Sequence, residues 1–212
     1  MDANFWHGKW QRNEIGFHES TVNPLLVAHF DSLQLAPASR LFLPLCGKTL
    51  DIGWLLERGY RVVGAELSRL AIEALFEQLG LEPLIRERGA LRHYSAPNID
   101  IFVGDIFELD TNVAGSIDAI YDRAALVALP DNLRARYAQH LQTLTNTAPQ
   151  LLITYGYDQN VRPGPPFSVE PEEVTRLYGN AYTLELLQRD EILASPKGRP
   201  AATELVWRLL PK

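Results

Sequence analysis

Short apolar runs alternate with amphipathic stretches of helical length from residue 40 onward. This alternation is typical of a mostly parallel sheet with helices on both faces, so the sequence predicts a doubly wound, Rossmann-like α/β fold. Seven strands are predicted, at residues 41–45, 61–66, 100–104, 119–122, 150–155, 183–187 and 203–210. Apolar residues at helical spacing predict helices at residues 48–58, 68–79, 131–146 and 171–178.

Capping signals place several of the helix ends. Gly59 and Gly80 follow the first two crossover helices, where a left-handed cap residue is favoured, and Ser68 and Asp131 stand where N-caps are expected. The segment 84–97 is less regular, and the pattern leaves a helix and an extra hairpin as alternatives. A hairpin-like connection predicts that the last strand enters the sheet antiparallel; its turn residues are Ser195, Pro196, Gly198 and Pro200.

The N-terminal part of the chain is aromatic. Residues 22–33 place their apolar side chains on one helical face, and an arm at residues 4–19 precedes them. The arm is predicted to have no strand or regular helix of its own, and it is either a lid over a site or a hydrophobic layer packed on the core. We expect one domain over residues 1–212, with the arm and its helix at 1–35 and the sheet core at 40–210.

Composition narrows the possible classes of function. With 46% hydrophobic and 22% charged residues and no long apolar run, the chain is expected to be a soluble cytoplasmic protein without a membrane segment. Its single cysteine, Cys46, argues against disulfides and multi-cysteine zinc sites, so no metal is predicted. The net charge of -6 offers no basic stripe for nucleic acid. The expected partner is a small molecule, and the expected state is a monomer.

The end of the first strand is the predicted binding site, because ligands of open α/β sheets bind at the carboxyl ends of the strands. Gly47 lies in the turn there, and Glu66 ends the second strand 19 residues later. A carboxylate at this distance suits a ribose diol, although a solvated acid at a strand end is the alternative. The turn lacks the glycines that dinucleotides require, which disfavours an oxidoreductase and favours a nucleoside ligand without a pyrophosphate.

Four motifs together resemble those of the thiopurine S-methyltransferase family: PLCGK at 44–48, VGAE at 63–66, DRAALV at 122–127 and PGPPF at 163–167. The segment around Trp10 and Phe17 is also similar, so the resemblance covers nearly the whole chain. It implies a class I methyltransferase fold, S-adenosyl-L-methionine as cofactor, and S-methylation of thiopurines and other aromatic or heterocyclic thiols. In bacterial relatives it also implies a link to tellurite or selenium detoxification.

The resemblance implies roles for individual residues as well. Cofactor contacts are expected from Trp10, Leu45, Gly47, Glu66, Asp105, Ile106 and Arg123. Phe17 would form a wall of the acceptor pocket, and Arg123 would be the catalytic residue that orients the acceptor. An ionised thiol requires no strong base, so no base is assigned, and Arg199 is left without a role. The alternatives are a surface ion pair for Arg123 and, for the whole protein, a non-catalytic nucleoside-binding sensor.

Overall fold

The computed structural model describes residues 3–193 and 201–212. Its strands are β1 (Arg40–Pro44), β2 (Arg61–Glu66), β3 (Leu84–Arg88), β4 (Leu91–Ala96), β5 (Ile99–Val103), β6 (Ala119–Arg123), β7 (Gln150–Gly156), β8 (Tyr182–Ile192) and β9 (Ala202–Pro211). Within the described ranges these form one sheet in the order β3-β4-β5-β2-β1-β6-β7-β9-β8. β5, β2, β1, β6 and β7 run parallel, which confirms the predicted doubly wound class.

Helices connect and cover the parallel strands. They are α1 (Ala3–Gln11), α2 (Pro24–His29), α3 (Asp51–Glu57), α4 (Arg69–Leu79), α5 (Thr111–Ala114), α6 (Asp131–Leu144) and α7 (Pro171–Tyr178). Two hydrophobic clusters form the core: one packs α2, α3 and α4 against the sheet, and the other packs α6 and α7 against it. Both β1 and β2 are almost wholly buried between them, as expected for central parallel strands.

The strand count differs from the prediction, because the described residues form nine strands and not seven. The segment left open at 84–97 is an antiparallel hairpin, β3–β4, which turns at Gly89 with a φ of +62°. Every residue of β3 is exposed, and the strand forms the edge of the sheet. Its charged side chains suit a solvated edge, but they remove the apolar alternation by which a strand is recognised.

The predicted helix ends are confirmed in part. Ser68 caps α4 by accepting a hydrogen bond from Ala71 N, and Gly80 ends the helix with a φ of +65°. Asp131 was the wrong choice of N-cap, because Pro130 occupies that position with extended backbone and Asp131 is the first helical residue. β9 pairs antiparallel with both β7 and β8, which confirms the predicted antiparallel end of the sheet.

The N-terminal arm contains a helix, α1, contrary to the prediction that it has none. Edge-to-face contacts fold it on itself: the rings of Trp6 and Trp10 lie 5.9 and 5.5 Å from that of Phe17. No described residue before Asn23 is fully buried, so the arm lies at the surface of the molecule. Residues 194–200, with the predicted turn and Arg199, lie outside the described residues. No helix in the described ranges is long and apolar enough to cross a membrane.

Candidate active site

The turn after β1 has an unusual backbone conformation. Leu45 has a φ of +45° and Gly47 one of +53°, while Cys46 N between them donates to Ala65 O of β2. A Cβ at position 47 would lie 3.1 Å from the ring of Trp10. Glycine is therefore favoured there both by the left-handed backbone and by the arm packed above it.

Glu66 connects this turn to the end of β2. Its Oε2 accepts a hydrogen bond from Gly47 N and its Oε1 one from Ser68 N, both at 2.8 Å. The side chain is only 5% exposed, and this burial raises the pKa of the Glu66 carboxyl, while the N–H donors of Ser68 and Gly47 act in the opposite direction. Glu66 also lines the adjoining cavity, where its carboxylate can accept a further hydrogen bond from a ligand.

A second anchored carboxylate shapes the turn after β6. Asp122 is fully buried and accepts hydrogen bonds from Leu126 N at 3.1 Å and from the Tyr137 hydroxyl at 2.7 Å. Burial raises the pKa of Asp122 to about 6. The turn also contains Ala124 with a φ of +61°. Asp122 therefore holds the segment that follows Arg123, which fixes where Arg123 leaves the sheet.

Arg123 extends from the end of β6 to the arm. Its Nη1 donates to Phe17 O at 2.8 Å, and its Nη2 donates to Glu19 Oε1 at 2.5 Å. The Arg123 side chain is 12% exposed, whereas that of Glu19 is 41% exposed. The ion pair is thus not a surface pair within one element, since it ties the N-terminal arm to the carboxyl end of the sheet.

These elements enclose a cavity of about 530 Å³ at the carboxyl ends of β1, β2, β6 and β7. That volume lies within the usual range for small-molecule sites. Most of the predicted site residues line this one cavity, namely Trp10, Phe17, Leu45, Gly47, Glu66 and Arg123. No group of His, Cys, Asp and Glu suited to a metal ion occurs among the described residues.

Asp105 and Ile106 are not brought to the cavity wall. Asp105 caps a short 3-10 turn by accepting from Phe107 N at 3.1 Å, and the Ile106 side chain is buried in the core. The pair follows β5, which is hydrogen-bonded to β2. Their predicted contact with the adenine is therefore not visible in the shape of the cavity, and it stays a prediction.

Several cavity residues were not predicted from the sequence. Asp51 accepts from Asn23 N at 2.8 Å and from the Tyr121 hydroxyl at 3.1 Å, which joins α2, α3 and β6 behind the site. Tyr155, at the end of β7, contributes a hydroxyl whose pKa is raised by burial and by the nearby Glu204 carboxylate. Strand-end positions are the only signal in the sequence that points to Tyr121 and Tyr155.

The structure also places His18 on the cavity wall. Burial lowers the pKa of His18, and the positive charges of Lys48 and Arg123 lower it further. These effects favour the neutral imidazole, whereas the charge of Glu19 acts in the opposite direction. Glu19, which gave no signal of its own in the sequence, lines the same wall.

The whole chain matches one protein family and its bacterial members. Residues 1–209 match the family model for thiopurine S-methyltransferase. A thiopurine S-methyltransferase from Xanthobacter autotrophicus is 53% identical over 210 residues, which cover 99% of both chains. One from Teredinibacter turnerae is 52% identical over 99% of this chain and 97% of its own.

Solved structures share the fold at low identity. A SAM-dependent methyltransferase from Anabaena variabilis superposes with a TM-score of 0.63 at 17% identity, over 98% of this chain and 95% of its own. The 1,6-didemethyltoxoflavin-N1-methyltransferase of Burkholderia thailandensis, solved with S-adenosylhomocysteine, gives 0.65 at 14% identity, over 98% and 86%. The buried Glu66 carboxylate, which accepts from Gly47 N and lines the cavity, fits the predicted cofactor, S-adenosyl-L-methionine. With the family match over its full length, the chain belongs to the thiopurine S-methyltransferase family.

Proposed function

We propose that this protein transfers a methyl group from S-adenosyl-L-methionine to the sulfur of thiopurines and of other aromatic or heterocyclic thiols. The observation that supports this most is the single cavity in which Glu66, Gly47 and an aromatic arm meet the guanidinium of Arg123. Such a cavity offers a ribose acceptor on one side and flat apolar walls with a fixed charge on the other. The names of the bacterial relatives support the same acceptor class.

The donor side of the proposed site is formed by the β1 turn and by β2. We assign Glu66 to the ribose hydroxyls, because both of its oxygens are already fixed by backbone donors and need no reorientation. Leu45 and Gly47 would contact the cofactor from the turn, and Trp10 would contact it from the arm. When bound, the cofactor supplies an electrophilic methyl group on its sulfonium.

The acceptor side is formed by the arm and by the end of β6. Phe17 would form one wall for a flat ring, and Arg123 would orient the acceptor with a fixed positive charge. Correct placement of the acceptor sulfur can account for roughly 7 to 11 kcal/mol of a reaction barrier. We assign no strong base, since an acidic aryl thiol can enter in ionised form beside Lys48 and Arg123, which both line the cavity.

Incubation of the purified protein with methyl-labelled S-adenosyl-L-methionine and a set of thiols tests the proposal. We expect an S-methylated product from a thiopurine and from benzenethiol, detected by mass spectrometry. Tight cofactor binding without turnover on any thiol would instead favour the non-catalytic sensor. The cofactor-binding variant described in the Discussion is the control for transfer that depends on this site.

We extend the proposal to selenols and to selenium and tellurium oxyanions in detoxification, which the same assay can test with those acceptors. The support is chemical: selenium is a softer nucleophile than sulfur, and none of the described residues that line the cavity is specific for sulfur. Failure to methylate any selenium or tellurium compound would restrict the enzyme to thiols.

We also propose that the protein acts as a cytoplasmic monomer on small molecules and not on nucleic acid. The net charge of -6 supports this, because it opposes binding to phosphate backbones. Sedimentation equilibrium and a DNA- and RNA-binding titration at low salt are the measurements. A dimer, or binding that weakens steeply with salt, would contradict it.

A further inference from the structure

One carboxylate of the arm lines the cavity next to the proposed acceptor-orienting arginine. Glu19 Oε1 accepts a hydrogen bond from Arg123 Nη2. The other guanidinium nitrogen, Nη1, donates to the backbone carbonyl of Phe17 at 2.8 Å. Glu19 Oε2 takes part in none of the hydrogen bonds among the described residues. A cationic donor and a carboxylate oxygen with open lone pairs therefore lie side by side on the same cavity wall.

This arrangement is complementary to one class of acceptor. Heterocyclic thioamides, such as pyridine-2-thione and the purine thiones, have a ring N–H directly next to the carbon that bears the sulfur. Benzenethiol has no such donor. A carboxylate oxygen is the strongest protein acceptor for an N–H, because hydrogen bonds to a charged group are about twice as strong as neutral ones. The 41% exposure of the Glu19 side chain leaves it accessible to a ligand.

We propose that Glu19 is a specificity-determining residue, which binds the ring N–H of heterocyclic thioamides through Oε2 and so favours them over simple aryl thiols. The inference rests on the proposed function. As the acceptor sulfur bonds to the methyl carbon, the methyl–sulfonium bond breaks and leaves its electron pair on the donor sulfur. The heterocycle then carries the positive charge, which the Glu19 carboxylate stabilises until the N–H proton passes to it and on to water.

Glu19→Gln is a sharp test, because the two side chains have the same shape. Arg123 holds the Oε1 position and so requires an oxygen there, which places the amide nitrogen at the position of Oε2. An amide N–H then faces the ring N–H, and two donors cannot bond. For pyridine-2-thione we expect kcat/KM to fall about tenfold or more, and for benzenethiol to change less than about twofold.

The control is Glu87→Gln, which removes a carboxylate from another arginine pair, that with Arg92 at 2.9 Å on the β3–β4 hairpin. This variant should leave kcat/KM unchanged for both acceptors. An equal loss on both acceptors in Glu19→Gln would mean that Glu19 only holds the arm in place, and no loss on either would mean that it does not bind the acceptor. Both results would overturn the inference.

Calorimetry tests the same inference without turnover. Pyridine-2-thione is titrated into protein saturated with S-adenosylhomocysteine, and we expect Glu19→Gln to bind it about tenfold more weakly than the unsubstituted protein does. Equal affinities would overturn the role of Glu19. If the unsubstituted protein methylates neither acceptor, the proposed function fails, while a difference in binding would still support the role of Glu19 in recognition.

Discussion

Replacing Glu66 by glutamine should weaken cofactor binding by an amount that can be worked out from the contacts of its carboxylate. Both oxygens already accept backbone N–H groups, Oε1 from Ser68 and Oε2 from Gly47. A ribose hydroxyl would donate to the same charged group. Hydrogen bonds to charged groups contribute roughly 1.5 to 3 kcal/mol, so affinity should fall by about tenfold to somewhat over a hundredfold.

The same substitution should also affect the fold, because an amide has only one oxygen. Its nitrogen must face either Gly47 N–H or Ser68 N–H, and one buried donor then loses its partner at a cost of about 1 to 3 kcal/mol. Removing a buried charge offsets part of this cost, since burial raises the pKa of the Glu66 carboxyl and so disfavours its ionised form. We expect a folded protein with a moderately lower free energy of unfolding.

Calorimetric titration with S-adenosylhomocysteine, which cannot transfer a methyl group, separates binding from turnover. Denaturant unfolding of the same samples separates binding from stability. Glu73→Gln is the matched control, because Glu73 pairs with Arg69 at 3.2 Å on the exposed face of α4. If Glu66→Gln binds within about twofold of the unsubstituted protein while folded, the ribose assignment is wrong.

Three further predictions follow from the same contacts. Arg123→Ala should lower turnover on a thiopurine by about tenfold or more and cofactor affinity by less; equal losses, or losses also in the surface control Arg92→Ala, would contradict this. If the arm is a lid, hydrogen exchange in residues 3–19 should slow when S-adenosylhomocysteine binds. Deletion of the arm should abolish transfer but keep a cooperative thermal transition, because no described residue of it is fully buried. An arm that is already protected without ligand would refute the lid. Burial raises the pKa of Asp122 from 3.8 to about 6, so the folded protein holds this proton more tightly than the unfolded chain does. The free energy of unfolding is therefore highest below about pH 4 and falls as the pH rises through about 6, where Asp122 must ionise inside the core. Unfolding of Asp122→Asn at several pH values should lack this loss of about 3 kcal/mol, and parallel profiles of the two proteins would exclude it.

The parallel core of the fold could be predicted because its strands are buried on both faces. β1, β2 and β7 are almost continuously apolar, and their helices carry local caps such as Ser68 and Gly80. The edge hairpin gave no comparable signal, since β3 has no buried residue. The helix α1 was missed for a related reason: its aromatic residues line the cavity and pack on each other, so they do not form a regular apolar face toward the core.

The site could be predicted only where a local motif or a family motif marked it. Glu66 was found because the end of a strand fixes its position relative to Gly47. Glu19 and Asp51 were missed because their partners, Arg123 and Tyr121, lie 104 and 70 residues away in the sequence. No local pattern records such pairings, which arise only when the arm and the first turns fold over the same sheet end.

Strained backbone flanks the point where the sheet reverses its strand order. The chain passes from β1 to β2 on one side, whereas β6 lies on the other side of β1. The two turns that flank this point contain residues other than glycine with positive φ, Leu45 at +45° and Ala124 at +61°. Such conformations cost on the order of 1 to 3 kcal/mol each and persist only when their surroundings enforce them.

The enforcing contacts are those of the site itself. Cys46 N bonds to Ala65 O beside the first strained residue, and Leu126 N bonds to Asp122 beside the second. Each strained turn brings one group of the site to the cavity. In the first turn the backbone N–H of Gly47 reaches Glu66, and beside the second turn the side chain of Arg123 reaches the arm. The strain therefore helps to place the proposed ribose acceptor, Glu66, and the proposed acceptor-orienting cation, Arg123, on one cavity before any ligand binds, which is the kind of preorganisation that favours methyl transfer.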